Sequence, residues 1–531
     1  MKKTVDKNKE SMVKSNTNHV IKDDNNDMEN INNELEDLEM QKNVGKGDIT
    51  KRDEDYSKWY LSVIAAADLA ENSPVRGCMV IKPNGYAIWE RIQSILDAMF
   101  KKTGVQNAYF PVFIPQSFLA KEAEHIEGFA KECAVVTHHR LRATENGVVP
   151  DGELDEPLIV RPTSETIMYH MYSKWVNSYS DLPLLINQWA NVVRWEMKTK
   201  PFLRTTEFLW QEGHTAHATK KEAEDRTRQM LDIYQMFCEE YLAIPVIPGH
   251  KTESERFAGA DDTLCIEAMM QDGKALQAGT SHMLGQNFAK PFNVKYLNNK
   301  GESKFVWQTS WGLSTRIIGA LIMVHSDDDG LVLPPKIAPT QVVIIPVWRT
   351  DEEKKCVLEE SQKLVAELQD LEIRVLVDER DGRPGAKFFE WERRGIPVRI
   401  EIGPKDISND TLVLVRRDDK VKTTINREEF SVSVPELLKK IQTDMYQRAL
   451  NVRDENTHDV NSWEEFLAKL TGKKTSFVKA HWCGNAKCEA DIKEETTATI
   501  RCIPFDALEE SGKCVKCGQD SNKRVIFAKA Y

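Results

Sequence analysis

The chain has 531 residues, 41% of them hydrophobic, with a formal net charge of −11 and ten cysteines. Such a length exceeds one ordinary core, so two to four domains are expected, and no apolar run is long enough to span a bilayer. The start of the chain resembles neither a signal nor a transit peptide, so reduced thiols, a metal site and a cytoplasmic location are expected.

In chain order, residues 1–53 are rich in Lys, Asn, Asp and Glu and hold no aromatic residue, a composition that predicts a disordered tail with at most a short helix over Met28–Met40. Residues 1–55 hold 14 acidic and 10 basic side chains, so part of the negative charge resides there and the total does not exclude a polyanionic partner. Order is expected from near Tyr56. Ile88, Ile92, Ile95, Leu96, Met99 and Phe100 share a helical face that Gly104 ends. NAYFPVFIP reads as one strand, and LIVRPTSETIMYHMYSKWV as strand, polar turn and helix. LLINQWANVV predicts a buried strand leading into RWEMKTKPFLRTTEF and then FLWQEGHTAHAT. In WGLSTRIIGALIMVHSDDDG a glycine turn enters an apolar helix. After LPPKIAP the pattern alternates strand and helix, which predicts a small α/β domain on a mostly parallel sheet. Five of the ten cysteines follow residue 441.

The chemistry gathers around RWEMKTKPFLRTTEF. A guanidinium grips phosphate or carboxylate in two-pronged fashion, an aromatic ring can stack on a base, and a carboxylate accepts from an exocyclic amine. Arg194, Glu196, Arg204 and Phe208 supply this set from a strand–loop–strand, with an exposed charged hairpin as the plainer reading. Arg316 sits in the first turn of its helix, where the dipole disfavours a cation unless an anion binds or a carboxylate pairs with it. VRGCMVIKPNGYAIWERIQSILDAMF with Pro83, RWE…LRTTEF and GLSTR together resemble motifs 1, 2 and 3 of class II aminoacyl-tRNA synthetases. RPTSE, FLWQEGHTAH, QAGTSHMLGQNF and the α/β unit resemble, within that class, the prolyl-tRNA synthetases of eukaryotic–archaeal type, over about residue 56 to Tyr531.

The resemblance implies an α+β catalytic domain with an antiparallel sheet over 54–335, an α/β anticodon-binding domain over 336–440 and a small α+β zinc-binding domain over 441–531. It implies a homodimer through the motif 1 helix, leaves association with a larger synthetase complex open, and implies ATP, proline, tRNA(Pro) and Mg²⁺ as reactants. ATP falls to Arg194, Glu196, Arg204, Thr205, Phe208, Gln277, Thr280, Ser314 and Arg316, with Arg194 and Arg316 as the catalytic arginines. Proline falls to Thr163, Glu165, Arg194, Trp210, His214 and His282; ordinary core packing is the alternative for Trp210 and His214. Too few residues separate motifs 2 and 3, and the tail is too short, for an editing domain in cis. Residues 374–427 hold 13 basic and 10 acidic side chains, a mild excess suited to RNA backbone.

HWCGNAKC and GKCVKC present Cys483, Cys488, Cys514 and Cys517 at four-thiolate zinc spacing, with Cys502 a possible substitute and unliganded thiols the alternative. The other cysteines are scattered. The closing AKAY places Tyr531 near the active site by resemblance alone. The competing readings are a catalytically dead relative that binds tRNA, or a sister synthetase for another amino acid.

Overall fold

The computed structural model describes residues 49–120 and 132–531. The predicted tail lies largely outside the described residues, as does the Met28–Met40 helix. The packed chain starts earlier than Tyr56: Ile49 is buried in the main core, and Arg52 pairs with Asp328 at 3.0 Å.

Helix α1 (Pro83–Lys101) starts with proline at a position where the missing N–H costs nothing, and buries Ile88, Trp89, Ile92, Leu96 and Phe100. NAYFPVFIP does not form one strand. Gln106–Asn107 pairs in parallel with the edge of the main sheet, whereas Phe113–Pro115 joins a separate three-stranded sheet. Pro111 lies in the break, where it has no N–H to give a ladder. Helix α2 (Glu165–Trp175) follows the RPTSE turn.

The main sheet begins with β1 (Leu184–Val193) and β2 (Glu207–His217). Helix α3 (Lys220–Met236), capped by Thr219 and Glu222, leads to β3 (Val246–His250), β4 (Asp262–Met269), β5 (Ala275–Gly285) and β6 (Trp307–Ser314), then to helix α4 (Arg316–His325). These strands lie in the order β3-β4-β5-β6-β2-β1, every neighbour antiparallel. Alternation then sorts the side chains. Trp311 and Leu313 point to the face packed by α1, α3 and α4, and their even-numbered neighbours point the other way. The packing is tight enough that a Cβ on Gly213 would lie 2.0 Å from the Trp311 ring.

The unit after LPPKIAP has five strands. Val375–Val377, Val342–Pro346 and Val398–Ile402 are parallel, and Thr411–Arg416 with Lys422–Asn426 add an antiparallel hairpin, so the sheet is mixed rather than mostly parallel. Its last helix runs Phe430–Glu455, past the expected boundary at 440. Three consecutive aspartates tie this unit and the start of the chain to the end of α4: Asp327 to Arg417 at 2.6 Å, Asp328 to Arg52, and Asp329 to Lys420.

The last segment contributes β7 (Thr457–Val460), β8 (Phe477–His481), β9 (Thr499–Pro504) and β10 (Arg524–Ala528), in the order β7-β8-β10-β9. Strand β9 pairs with β3 through Ile503–His250 and Pro504–Gly249, giving one eleven-stranded sheet. Gly249 is required there, since a Cβ would sit 2.4 Å from the Ile503 carbonyl oxygen. Among the described residues no helix is long and apolar enough to cross a membrane.

Candidate active site

A cavity of about 250 Å³ opens on the sheet face away from the helices. Strand register sets its floor. One row across the sheet is Thr263, His282, Ser310 and His214; the next is Thr280, Gly312 and Glu212; a third places Ser314 beside Trp210. Gln277 and Thr280 are three residues apart and would face opposite ways in a regular strand. A bulge, with Glu267 opposite Gln277 and Ile266 opposite Gly279, leaves Ala278 unpaired and turns both side chains into the cavity.

Thr163, Glu165, Arg194, Phe208, Trp210, His214, Gln277, Thr280, His282, Ser314 and Arg316 all line this one cavity. Arg194 follows β1; its Nε donates to the Pro162 carbonyl at 3.0 Å, and its guanidinium lies 5.5 Å from the ring centres of both Phe208 and Trp210. Thr163 donates to the Glu165 carboxylate. Their turn is anchored by Arg161, which is 1% exposed and donates to the Phe110 and Asn191 carbonyls. Arg316 opens α4, and its Nε donates to the Leu203 carbonyl at 2.9 Å. Burial, with repulsion from Arg194 and Arg204, pulls its pKa down to about 10. Arg194 and Arg316 thus converge on the cavity beside a helix N-terminus, with Arg204 adding its charge from outside, an arrangement that an anion relieves. Trp210 Nε1 and Ser310 Oγ are buried on this cavity with no hydrogen-bond partner among the described residues, two more groups directed at a ligand.

Glu196 and Arg204 do not line the cavity; they pair with each other at 3.6 Å, with Arg204 half exposed. Thr205 is buried, and its hydroxyl donates to the Glu207 carbonyl at 2.8 Å. Tyr531 donates to Asp272 at 2.5 Å, and Lys200 of the β1–β2 loop lies 5.2 Å from its ring centre. Sequence reasoning passed over Glu212, Thr263, Ser310 and the Glu255–Phe257 loop, all on the cavity wall. The period-two run Phe208, Trp210, Glu212, His214 was the signal for Glu212.

Cys483, Cys488, Cys514 and Cys517 bring their sulfurs within 4.8 Å of one another. Cys502 is not among them: it is buried on β9 in the apolar cluster that holds Cys265, so it is no substitute ligand.

Three family models match the chain: the tRNA synthetase class II core domain (G, H, P, S and T) over residues 148–325, the anticodon binding domain over 341–437, and the prolyl-tRNA synthetase C-terminal domain over 463–531. Proline–tRNA ligases are similar along nearly their whole length. That of Flavobacterium johnsoniae is 58% identical over 489 residues, 91% of this chain and 99% of the relative. Those of Amoebophilus asiaticus and Porphyromonas gingivalis are each 56% identical, with 90% and 91% of this chain covered and 99% of each relative. These relatives are bacterial and lend no support to a eukaryotic–archaeal assignment. With a cavity that sets Arg194 and Arg316 among buried carboxylates, on six antiparallel strands of the large sheet, and with relatives of this identity and span, the chain belongs to the class II prolyl-tRNA synthetases.

Proposed function

We propose that the cavity activates L-proline with ATP and passes the prolyl group to tRNA(Pro). The carrying observation is that Glu165 and Arg194 line the same small cavity with opposite charges, a match for a zwitterion whose ammonium and carboxylate need a partner each. In this reading Thr163 and Glu165 take the secondary ammonium, and Trp210, His214 and His282 wall the ring. Arg194 bridges the proline carboxylate and the α-phosphate. The carboxylate attacks that phosphorus in line and pyrophosphate leaves; the terminal ribose hydroxyl of the tRNA then displaces AMP from the adenylate. Arg316 holds the outer phosphates, Phe208 stacks on adenine, and Gln277, Thr280 and Ser314 hold ribose or phosphate. The Glu196–Arg204 pair opens when ATP arrives, giving Glu196 to the adenine amine and Arg204, beside Thr205, to the phosphates. Catalysis is positioning and charge neutralisation, without a covalent enzyme intermediate. Mg²⁺ arriving with ATP supplies further neutralisation of phosphate oxygens.

The four clustered thiols fit Zn²⁺. Tetrahedral zinc–thiolate bonds of about 2.3 Å set sulfurs about 3.8 Å apart, and Cys483 and Cys517 lie 3.7 Å apart. Cys483, Cys488, Cys514 and Cys517 would hold the ion, which staples two otherwise separate loops. The proposed catalytic body is 54–335 extended back to Ile49, the anticodon domain runs from 336 to the end of the long helix, and the zinc-bearing unit follows. Tyr86, exposed on the motif 1 helix, and Val80, exposed on the strand before it, support a homodimer through that face. A supply of ATP and tRNA supports a cytoplasmic location in this reading. The eukaryotic–archaeal label is proposed for the architecture with this C-terminal unit, not for lineage.

ATP–pyrophosphate exchange with each of the twenty amino acids tests the activity. Strong exchange with proline that is lost in Arg194→Ala is expected. Tight tRNA binding with no exchange for any amino acid would overturn the reading.

A further inference from the structure

The Glu212 carboxylate, on the cavity wall, has no part in the roles above. Glu212 is 1% exposed. Its Oε1 accepts from Ser164 Oγ and from Gln188 Nε2 at 2.6 Å, and Gln188 is oriented by the Phe110 N–H that its own oxygen accepts at 3.0 Å. Its Oε2 faces His214 Nε2 at 3.0 Å. An ionised carboxylate can only accept, so that nitrogen carries a proton. On the far side of the ring, Nδ1 lies 3.3 Å from the Tyr169 hydroxyl, whose own proton is directed at the Thr309 carbonyl at 3.4 Å. A carbonyl also only accepts; with the single hydroxyl proton given to it, the Tyr169 oxygen accepts from Nδ1, the bonding pattern of an imidazolium. The titratable groups around this ring are the carboxylates of Glu212 on its own strand and Glu165 on α2, the Arg194 guanidinium after β1, and the His282 imidazole on β5. The Tyr172 hydroxyl of α2 donates to the His214 backbone carbonyl. Burial opposes the His214 charge, but Glu165 and Glu212 raise its pKa all the same, while burial and His214 push His282 down to about 3. Two histidines of one cavity are therefore shifted in opposite directions.

The ligand atoms of Glu165, Glu212 and His214 lie within 4.8 Å of one another. A divalent cation could in principle sit among them, but Ser164 and Gln188 occupy Glu212 Oε1, Glu212 Oε2 and His214 Nε2 occupy each other, and Tyr169 meets His214 Nδ1, which decides against it. The imidazolium has two carboxylates within reach and is bonded to only one.

We propose that Glu212 is a positioning residue for amino-acid recognition: by engaging His214 and Ser164 it keeps the imidazolium off Glu165 and leaves that carboxylate for the substrate ammonium. This rests on the proline-activation reading. Without Glu212 the nearest anion for His214 is Glu165, and an incoming ammonium must displace it.

The test is Glu212→Gln, assayed by pyrophosphate exchange across pH 6 to 9, beside ¹⁵N NMR of the imidazoles in the unaltered protein. The variant is expected to raise the proline KM about tenfold with little change in kcat, the scale of one charged hydrogen bond. That KM should fall back as pH rises and His214 loses its proton, releasing Glu165; the unaltered protein shows no such recovery. A raised KM that is flat with pH, or an unchanged KM, overturns the proposal. NMR should show one imidazole protonated on both nitrogens at pH 7, lost in His214→Asn. A neutral His214 at that pH also overturns it, and this readout stands if Glu212→Gln fails to fold. If the unaltered protein exchanges with no amino acid, the activity reading has failed instead.

Discussion

Two buried carboxylates on one face of one sheet, Glu212 and Glu267, are built to different ends. Glu267 is fully enclosed and meets two cations: Lys251 at 2.8 Å and Arg501, whose guanidinium grips both oxygens at 3.1–3.2 Å. Lys251 also donates to the Arg501 carbonyl. Every polar atom there is spoken for by protein, and the C-terminal segment closes the region over. Glu212 instead bonds the His214 ring, with Glu165 close by, and both open on a cavity whose wall leaves Trp210 Nε1 and Ser310 Oγ without partners among the described residues. Compensation completed by the chain itself marks a joint; compensation left for a ligand marks a site.

The comparison can be broken most directly by Arg194→Ala, expected to cut proline-dependent exchange about 10³-fold or more while the melting temperature hardly moves. An equal loss of stability would mean the two regions are not distinct. Glu267→Ala should do the converse. It leaves Lys251 and Arg501 buried and uncompensated, a loss of about 3–5 kcal/mol in urea unfolding, with proline KM near normal in the protein that remains folded. Acid sharpens the contrast further. His217, His282 and His325 have pKa values lowered by burial to about 3, 3 and 4. Because the unfolded chain binds those protons near pH 6.5 and the folded chain does not, stability falls as pH drops from about 6.5 toward 4. Each histidine contributes at most about 1.4 kcal/mol per pH unit, and a circular-dichroism melt series would read the slope. The raised His214 has the opposite sign: its contribution is complete below pH 6.5 and is lost as pH rises through its folded value. The smallest effect should come from Asp327→Asn, which weakens the two-pronged grip of Arg417 by about 1.5–3 kcal/mol; proteolysis between α4 and the next unit should speed up while tRNA-free exchange stays intact.

The motif stretches were legible because their chemistry is local: arginines at a strand end and at a helix start, and a period-two run on β2. What escaped depended on the partner strand. The parity of Gln277 and Thr280 is wrong for one face until the bulge at Ala278 corrects it, and nothing in the sequence marks the bulge. Glu196 and Arg204 look like two separate ligands in the sequence, yet in the fold they are each other's partner. Lys251 and Arg501 are 250 residues apart and meet only because β9 pairs with β3. NAYFPVFIP has one apolar pattern but serves two sheets, since strand propensity says nothing about which neighbour supplies the ladder.

The β9–β3 junction has a mechanical consequence. Because backbone hydrogen bonds run unbroken from β7 to β1, the C-terminal unit cannot swing against the catalytic sheet without tearing strands apart, and the two should melt as one cooperative block. The five-stranded unit shares no strand with that block; it is held by the ion pairs of the Asp327–Asp329 turn, by a backbone bond from Leu331 to Arg393, by Gln442, which donates to the Glu240 carbonyl, and by Ala243 packed into its core. Its attachment is side-chain and loop contact rather than a shared ladder, so local opening should begin there, with the cavity sheet the last part to yield.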